Sequence, residues 1–203
     1  MKHLAKSLVV LLIVTCAWRY GRDSVRAWLG NATRAPLTAV ASPTRLPSGE
    51  HYSPAENLER LDYEAIRGAR QSLDIAMYSF TDILLAAAVR EAGRRGVQVR
   101  IYRDGDEYER EQAQVRRHRS ATQALRGETN IRIRVKPPGR DYMHLKQLCV
   151  DGRLLRTGSA NWSASGEKRQ DNDANYSTDP NAIAHFERDF EALWNRSDNI
   201  VIQ

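Results

Sequence analysis

Hydrophobic and polar positions recur with two different periods along residues 53–135, and the pattern predicts alternating helices and strands. Apolar residues recur at helical spacing from Leu58 to Ala69, and the preceding Ser53-Pro54-Ala-Glu56 is typical of a helix start. Asp82 is placed to cap a second helix over residues 83–92. Period-two alternation predicts strands over residues 73–80, 97–102 and 131–135.

The remaining elements complete an α/β pattern. The highly charged segment 106–128 is expected to be helical, and residues 143–150 read as a strand that ends in a hairpin turn at Asp151-Gly152. Because helices and strands alternate along the chain, we expect an α-β-α sandwich with a mixed β-sheet flanked by helices.

The first 20 residues have the form of an export signal. Lys2 and Lys6 precede an apolar run that ends at Trp18, before Arg19. The 12 residues of that run cover roughly 18 Å as a helix, short of the roughly 30 Å hydrocarbon core. We therefore expect a signal peptide over residues 1–20 and a periplasmic or secreted protein. An uncleaved membrane anchor formed by residues 7–18 is the alternative. Residues 21–49 have a linker composition, which leaves residues 50–203 as the folded domain.

Composition narrows the partner and the chemistry only slightly. The chain carries 31 Lys and Arg against 25 Asp and Glu, a formal net charge of +6, which favours a polyanionic partner such as nucleic acid or an anionic lipid surface. Its two cysteines lie in the leader (Cys16) and in a predicted core strand (Cys149), so neither a disulfide between them nor a zinc site is expected.

The stretch from Met143 to Gly152 holds the most informative chemistry. In a strand, His144 and Lys146 are two residues apart and project from one face. An imidazole can attack phosphorus or protonate a leaving oxygen near neutral pH, and an ammonium can neutralise a non-bridging oxygen as charge builds. Gly158-Ser159-Ala160-Asn161 follows Asp151, so the whole string reads H-x-K-x4-D-x6-G-S-x-N.

This string resembles the signature of the phospholipase D superfamily, with each motif position filled. Tyr78-Ser-Phe80-Thr81 and Arg95-Gly96-Val97 resemble the upstream βαβ unit of the compact bacterial endonucleases in that superfamily. Phe186, Phe190 and Trp194 resemble their C-terminal helix, so the likeness covers about residues 50–198.

The resemblance implies a role for each motif residue. His144 would form a phosphohistidine or act as its partner acid, Lys146 and Asn161 would hold phosphate oxygens, and Ser159 would support the site. Asp151 is counted with the catalytic residues because it belongs to the motif, although its turn position indicates a structural or orienting part. No metal or other cofactor is needed in that mechanism, and the sequence shows no carboxylate pair arranged to hold a metal.

The superfamily site uses two such motifs, whereas this chain has one. His3, His51, His118 and His185 are not followed by lysine two residues later. A site with two histidines then requires a second chain, so we expect a C2 homodimer with His144 of each protomer facing across the axis.

One segment departs from the superfamily pattern. Relatives commonly carry Glu followed by Asn beyond the GSxN segment, where this chain reads Gln170-Asp171-Asn172-Asp173. Either Asp171 or Asn172 occupies the place of the orienting acid.

The sequence is compatible with two classes of substrate, nucleic acid and phospholipid. Residues 110–140 carry nine cations against two acids, a net charge of +7, and such a rim could follow a phosphate backbone. We therefore expect an endonuclease acting on DNA or RNA. A phospholipase D acting on lipid head groups and a non-catalytic nucleic-acid-binding protein are the alternatives. Trp162 could stack on a base or lie in the core, and Cys149 is expected to be a buried apolar side chain.

Overall fold

The computed structural model describes residues 46–114, 120–139 and 141–202. The helices in this part of the chain are α1 (Leu58–Gly68), α2 (Ile83–Arg94), α3 (Gly105–Gln114) and α4 (Pro180–Trp194). The strands are β1 (Gly49–Ser53), β2 (Ser72–Met77), β3 (Gln98–Arg103), β4 (Ile131–Val135), β5 (Lys146–Val150), β6 (Leu154–Gly158), β7 (Asn172–Ser177) and β8 (Ile200–Ile202). The predicted leader and most of the predicted linker fall outside the described residues.

All eight strands join in one mixed sheet with the order β1-β7-β6-β5-β2-β3-β4-β8. The strands β2, β3 and β4 run parallel, and the other neighbours pair antiparallel. The parallel strands are joined by α2 and by the segment that contains α3, as the alternating pattern predicted. The carboxyl ends of β2, β3 and β4 therefore meet at one edge of the sheet, beside the start of the antiparallel β5.

A separate apolar layer covers each face of the sheet. Leu58 and Ile66 of α1 and Leu85 and Val89 of α2 belong to the core cluster on one face. Phe186, Phe190 and Trp194 of α4 pack with Ala76, Tyr102, Cys149 and Leu155 on the other face. The predicted α-β-α sandwich is thus confirmed. No helix within the described residues is long and apolar enough to cross a membrane.

The predicted start of the first helix is wrong. Ser53 ends β1, its hydroxyl donates to the Gln170 carbonyl (2.7 Å), and a cis peptide bond joins it to Pro54. The helix begins at Leu58, where the side chain of Asn57 accepts from the backbone N–H of Arg60. Serine and proline are common at helix starts, but in this chain Ser53 ends a strand and Pro54 begins a turn.

The second helix begins as predicted, since Asp82 caps it by accepting from the backbone N–H of Leu85 (3.0 Å). The predicted helix over residues 106–128 is only partly formed, because α3 ends at Gln114 and a short 3-10 turn follows at Gln123–Leu125. The buried carboxylate of Glu111 accepts from the backbone N–H of Thr122 (3.1 Å) and from the Ser120 hydroxyl. This buried contact brings residues 120–122 back against α3.

Candidate active site

The candidate site lies where β2 ends beside the start of β5. Met77 is paired with Lys146, and the backbone N–H of Tyr78 donates to the Leu145 carbonyl (2.9 Å). Because these two backbone segments run antiparallel in register, the Tyr78 side chain is held next to residues 144–146.

His144 and Lys146 both contact the ring of Tyr78. The His144 and Tyr78 ring centroids are 4.6 Å apart in an edge-to-face arrangement, and Lys146 Nζ lies 4.8 Å from the Tyr78 centroid. Lys146 Nζ also donates to the His144 carbonyl (2.7 Å). His144 precedes β5 instead of lying within it, because β5 begins at Lys146. The shared contact with Tyr78 still places the two side chains on one side, as their spacing predicted.

The two groups differ in their exposure to water. The His144 side chain is exposed, whereas Lys146 is 6% exposed. Burial, together with repulsion from the Arg156 guanidinium, lowers the pKa of Lys146 from its ordinary 10.5 to about 8. Glu107 acts in the opposite direction and raises that pKa. The lysine therefore remains largely an ammonium at neutral pH, beside an imidazole that a substrate can reach.

Arg156, on β6, is a buried cation beneath the site. Its Nη1 donates to the Lys146 carbonyl (2.8 Å) and its Nη2 to the Ala160 carbonyl (3.1 Å). The guanidinium is ion-paired with the fully buried carboxylates of Asp62 (3.2 Å) and Glu167 (3.5 Å). One side chain therefore fixes both the start of β5 and the loop that carries the GSxN segment.

The GSxN segment lies next to the start of β5, since β6 runs antiparallel to β5. Gly158 has a positive φ of 142°, and a Cβ there would overlap the carbonyl oxygen of Asp173, so the position requires glycine. The Ser159 hydroxyl accepts from the backbone N–H of Asp173 (3.0 Å), and Asn161 Oδ1 accepts from the backbone N–H of Ser79 (3.3 Å). Asn161 thus contacts the residue that follows Tyr78 in the chain. It lies at the same edge of the sheet as Lys146.

Asp151 lies at the opposite edge of the sheet. It follows Lys146 by five positions along β5, about 17 Å of strand. Its carboxylate accepts from the backbone N–H groups of Arg70, Gln71 and Ser72, and its φ of 55° forms the predicted turn with Gly152. Its grouping with the catalytic residues is therefore corrected: Asp151 ties the β5–β6 hairpin to the start of β2.

The acid beside the GSxN segment is Asp173, which the sequence did not single out. Its Oδ1 accepts from the backbone N–H of Ser159 (3.0 Å). Asn172 instead donates to the Gly166 carbonyl (3.0 Å), and Asp171 is exposed. Asn172 and Asp173 are neighbours in β7, so their side chains point to opposite faces of the sheet. Spacing along the sequence alone does not show which of the two faces Ser159.

Trp162 and Cys149 are both core residues. Trp162 is fully buried, donates from Nε1 to Asp62 (2.7 Å) and packs edge-on against Phe80 at 4.8 Å between ring centroids. The hypothesis that a base stacks on Trp162 is therefore wrong. Cys149 is buried, as predicted, and burial raises the pKa of its thiol to about 12.

Among the described cations of the expected rim, three differ in their position relative to the site. Lys136 follows β4 at the edge that holds the site, and its ammonium donates to the Asp141 carbonyl. Arg134 packs over Trp194, with its guanidinium carbon 4.5 Å from the ring centroid. Arg132 lies near the start of β4, toward the far edge. Residues 115–119 and Arg140, which carry four of the nine cations, lie outside the described residues.

Several side chains at this edge gave no signal of their own in the sequence. Asp104 accepts from the backbone N–H of Met143 (2.8 Å) and from that of Glu107 (3.1 Å), so it connects α3 to the residue before His144. Tyr142 is 56% exposed, with its ring centroid 6.1 Å from that of Tyr78. Such residues are ordinary by type, and only the fold brings them together. Within the described residues, no group of three or more His, Cys, Asp or Glu side chains is arranged to hold a metal.

A family model and curated proteins match most of the domain. The model described as cardiolipin synthase, PLD-like domain matches residues 63–194. The mitochondrial cardiolipin hydrolase of Homo sapiens is 32% identical over 166 residues, which is 79% of this chain and 60% of that protein. The protein of the same name from Chlamydomonas reinhardtii is 29% identical over 143 residues, 70% of this chain and 59% of its own. The chain thus spans about three fifths of the length of these relatives.

Solved structures share the fold. The phospholipase D family member Nuc from Salmonella typhimurium superimposes with a TM-score of 0.64 at 24% identity, over 76% of this chain and 96% of Nuc. NucT from Helicobacter pylori gives a TM-score of 0.63 at 22% identity, over 74% and 96% of the two chains. At these identities the likeness concerns the fold.

Proposed function

Because the chain belongs to the phospholipase D superfamily, in the family described as cardiolipin synthase, PLD-like domain, we propose that it is a phosphodiesterase centred on His144. The observation that carries the proposal is the shared contact of His144 and Lys146 with Tyr78, which sets an exposed imidazole beside a buried ammonium. This pair supplies a nucleophile and a fixed positive charge for a phosphodiester.

In the proposed reaction, a nitrogen of the His144 imidazole attacks phosphorus and forms a phosphorus–nitrogen bond. The bond to the leaving oxygen breaks, and a second histidine gives that oxygen its proton. Lys146 and Asn161 hold the non-bridging oxygens, while Ser159 keeps the loop in place. Water then attacks the phosphohistidine, giving up its proton to the second histidine, and the imidazole of His144 is released. We propose that no metal takes part.

We propose that the second histidine is His144 of a second copy, since the chain carries one H-x-K motif. Co-expression of wild-type and His144→Ala subunits tests this directly. If each site needs both histidines, activity falls as the square of the wild-type fraction, because only dimers with two wild-type subunits act. A linear fall would mean that one subunit suffices.

We propose a nucleic-acid strand as the substrate. The chain carries a net charge of +6, and Tyr142 presents an exposed ring at the edge of the site where a base could stack. Both features would strengthen the binding of a polyanionic strand, and neither requires a base-specific contact.

The phosphodiesterase and substrate proposals are tested by one parallel assay in chelator. The full chain, purified in mild detergent, is incubated with DNA, RNA and mixed micelles that contain cardiolipin. We expect shortened nucleic acid, intact lipid, and no reaction with His144→Ala. Loss of all activity in EDTA, restored by Mg2+, would contradict the metal-independent mechanism.

A phospholipid is the second candidate substrate. The curated relatives are named cardiolipin hydrolases, and the exposed Ile83 and Leu84 follow directly on the Asp82 cap, whose backbone N–H donates to the Trp162 carbonyl beside Asn161. An apolar surface there would suit acyl chains. Release of phosphatidic acid in the same assay, with intact DNA and RNA, would select this candidate.

A further inference from the structure

An ion pair on α3 lies at the edge of the candidate site. Arg110 Nη1 is 2.5 Å from Glu107 Oε1, one helical turn away. The Arg110 side chain is 55% exposed, whereas that of Glu107 is 16% exposed. The carboxylate therefore lies inward of the guanidinium and leaves the cation facing solvent.

This pair is connected to the residues of the site through Asp104. The Asp104 carboxylate accepts from the backbone N–H of Glu107 (3.1 Å) and from that of Met143 (2.8 Å), the residue before His144. Glu107 also acts electrostatically on Lys146. Arg110 thus projects from the helix whose first turn is bound, through Asp104, to the residue before His144.

Arginine suits a phosphate at this place. A guanidinium carries five N–H donors in a planar fork, more than its contact with one carboxylate requires. Because the Arg110 side chain is 55% exposed at the edge of the site, an anionic group of a longer substrate could reach it from solvent. Because its Glu107 partner restrains the side chain, less freedom is lost when an anion binds.

We propose that Arg110 binds a second phosphodiester of the substrate, next to the one that is cleaved. The proposal rests on the phosphodiesterase function assigned to His144. A nucleic-acid strand carries such a neighbouring group at each nucleotide, and cardiolipin carries two phosphodiesters joined by glycerol. Arg110 therefore discriminates substrates with two phosphodiesters from those with one, whichever source supplies them.

Matched pairs of compounds test the subsite. In the nucleotide arm, a thymidine dinucleotide with one phosphodiester is compared with the trinucleotide that has two. In the lipid arm, phosphatidylglycerol is compared with cardiolipin in mixed micelles of the same composition. For each pair, kcat/KM and binding affinity are measured, and the ratio of the two-diester to the one-diester compound is the readout.

Arg110→Gln is expected to lower that ratio about tenfold through KM, in whichever arm the wild type favours the two-diester compound. Arg110→Lys, which keeps the charge without the fork, should fall between the two. Arg94→Gln is the matched control, because Arg94 is 60% exposed and paired with Glu128 at 2.7 Å on the C-terminal end of α2, away from the site. This control should keep the wild-type ratio although it removes the same charge.

A ratio that is unchanged in Arg110→Gln, or lowered equally in Arg94→Gln, would overturn the subsite. Equal losses on both compounds would likewise overturn it, since they would indicate a general effect on the site. Hydrolysis of the one-diester compounds by the wild type reports on the proposed function separately. If the wild type hydrolyses nothing, the binding ratio still decides whether Arg110 recognises a second phosphodiester.

Discussion

The ammonium of Lys146 lies 4.8 Å from the centroid of the Tyr78 ring, and the same ring contacts the His144 imidazole edge-on. Tyr78 is held by its backbone hydrogen bond to Leu145, at the point where β2 and β5 meet. The two groups proposed to act on phosphorus are therefore positioned by a third side chain, which takes its own place from the sheet.

Removal of the Tyr78 ring should impair the reaction more than binding. We expect Tyr78→Ala to lower kcat on the order of 10- to 100-fold, because small displacements of reacting groups have effects of this size. Tyr78→Phe should lose less, since it keeps the ring contacts with His144 and Lys146. Steady-state kinetics on both variants, with melting curves to confirm folding, make the comparison. Equal losses in the two variants would count against a positioning role for the ring.

The pH dependence of kcat/KM should reflect Lys146. Its pKa is lowered to about 8, so the ammonium is present below that pH and is lost as the pH rises through it. Activity should therefore decline above about pH 8, whereas an ordinary lysine would keep its charge to about 10.5. Because Glu107 raises this pKa, Glu107→Gln should move the decline to lower pH. A pH profile of both proteins checks this, and a shift to higher pH in the variant would refute the assignment.

Asp151 should matter for stability and not for chemistry. Asp151→Ala leaves three backbone N–H groups of residues 70–72 without their acceptor and puts alanine at a φ of 55°. We expect a loss of about 1–3 kcal/mol in the free energy of unfolding. The kcat of the folded variant should stay within about twofold of wild type, since Asp151 is remote from Lys146. Chemical denaturation and kinetics at low temperature separate the two effects; a large fall in kcat with unchanged stability would restore a catalytic role.

Neutral substitutions of the two buried acids around Arg156 should lower the free energy of unfolding by different amounts. Asp62 pairs with Arg156 and also accepts from Trp162 and Tyr176, so Asp62→Asn should cost about 3 kcal/mol or more. Burial and the neighbouring Asp62 raise the pKa of Glu167, whose Oε2 has no hydrogen-bond partner in the described structure. Glu167→Gln therefore resembles the protonated acid and should cost less than about 1 kcal/mol. Denaturant titrations of both variants test this, and the reverse order of stabilities would contradict it.

Much of the architecture could be predicted from periodicity. The parallel strands β2, β3 and β4 are short and carry apolar residues at alternate positions, and Asp82 and Gly96 mark the two ends of the helix between the first two. Local pattern and final fold therefore agree. The edge strands β1 and β8 could not be predicted in the same way. Each is three to five residues long and largely exposed, so its apolar pattern is weak and its pairing depends on distant residues.

The candidate site could be predicted only in part. His144 and Lys146 follow from a spacing of two residues in extended backbone, which is a local property. Tyr78, Glu107 and Asp173 reach the site from other elements, and their side-chain types are common on any surface. Asp151 shows the limit of a motif for a related reason: a motif records which residues recur together, whereas the length of β5 puts Asp151 at the other end of the strand from Lys146.

The central claim is that the His144 imidazole attacks phosphorus. The direct test is to mix enzyme with an excess of a substrate labelled on the scissile phosphate, quench within milliseconds under alkaline conditions that preserve phosphohistidine, and map the label by mass spectrometry. We expect the labelled phosphoryl group on the peptide that contains His144, and no adduct in His144→Ala. A label on another residue, or rapid turnover by His144→Ala, would contradict the account.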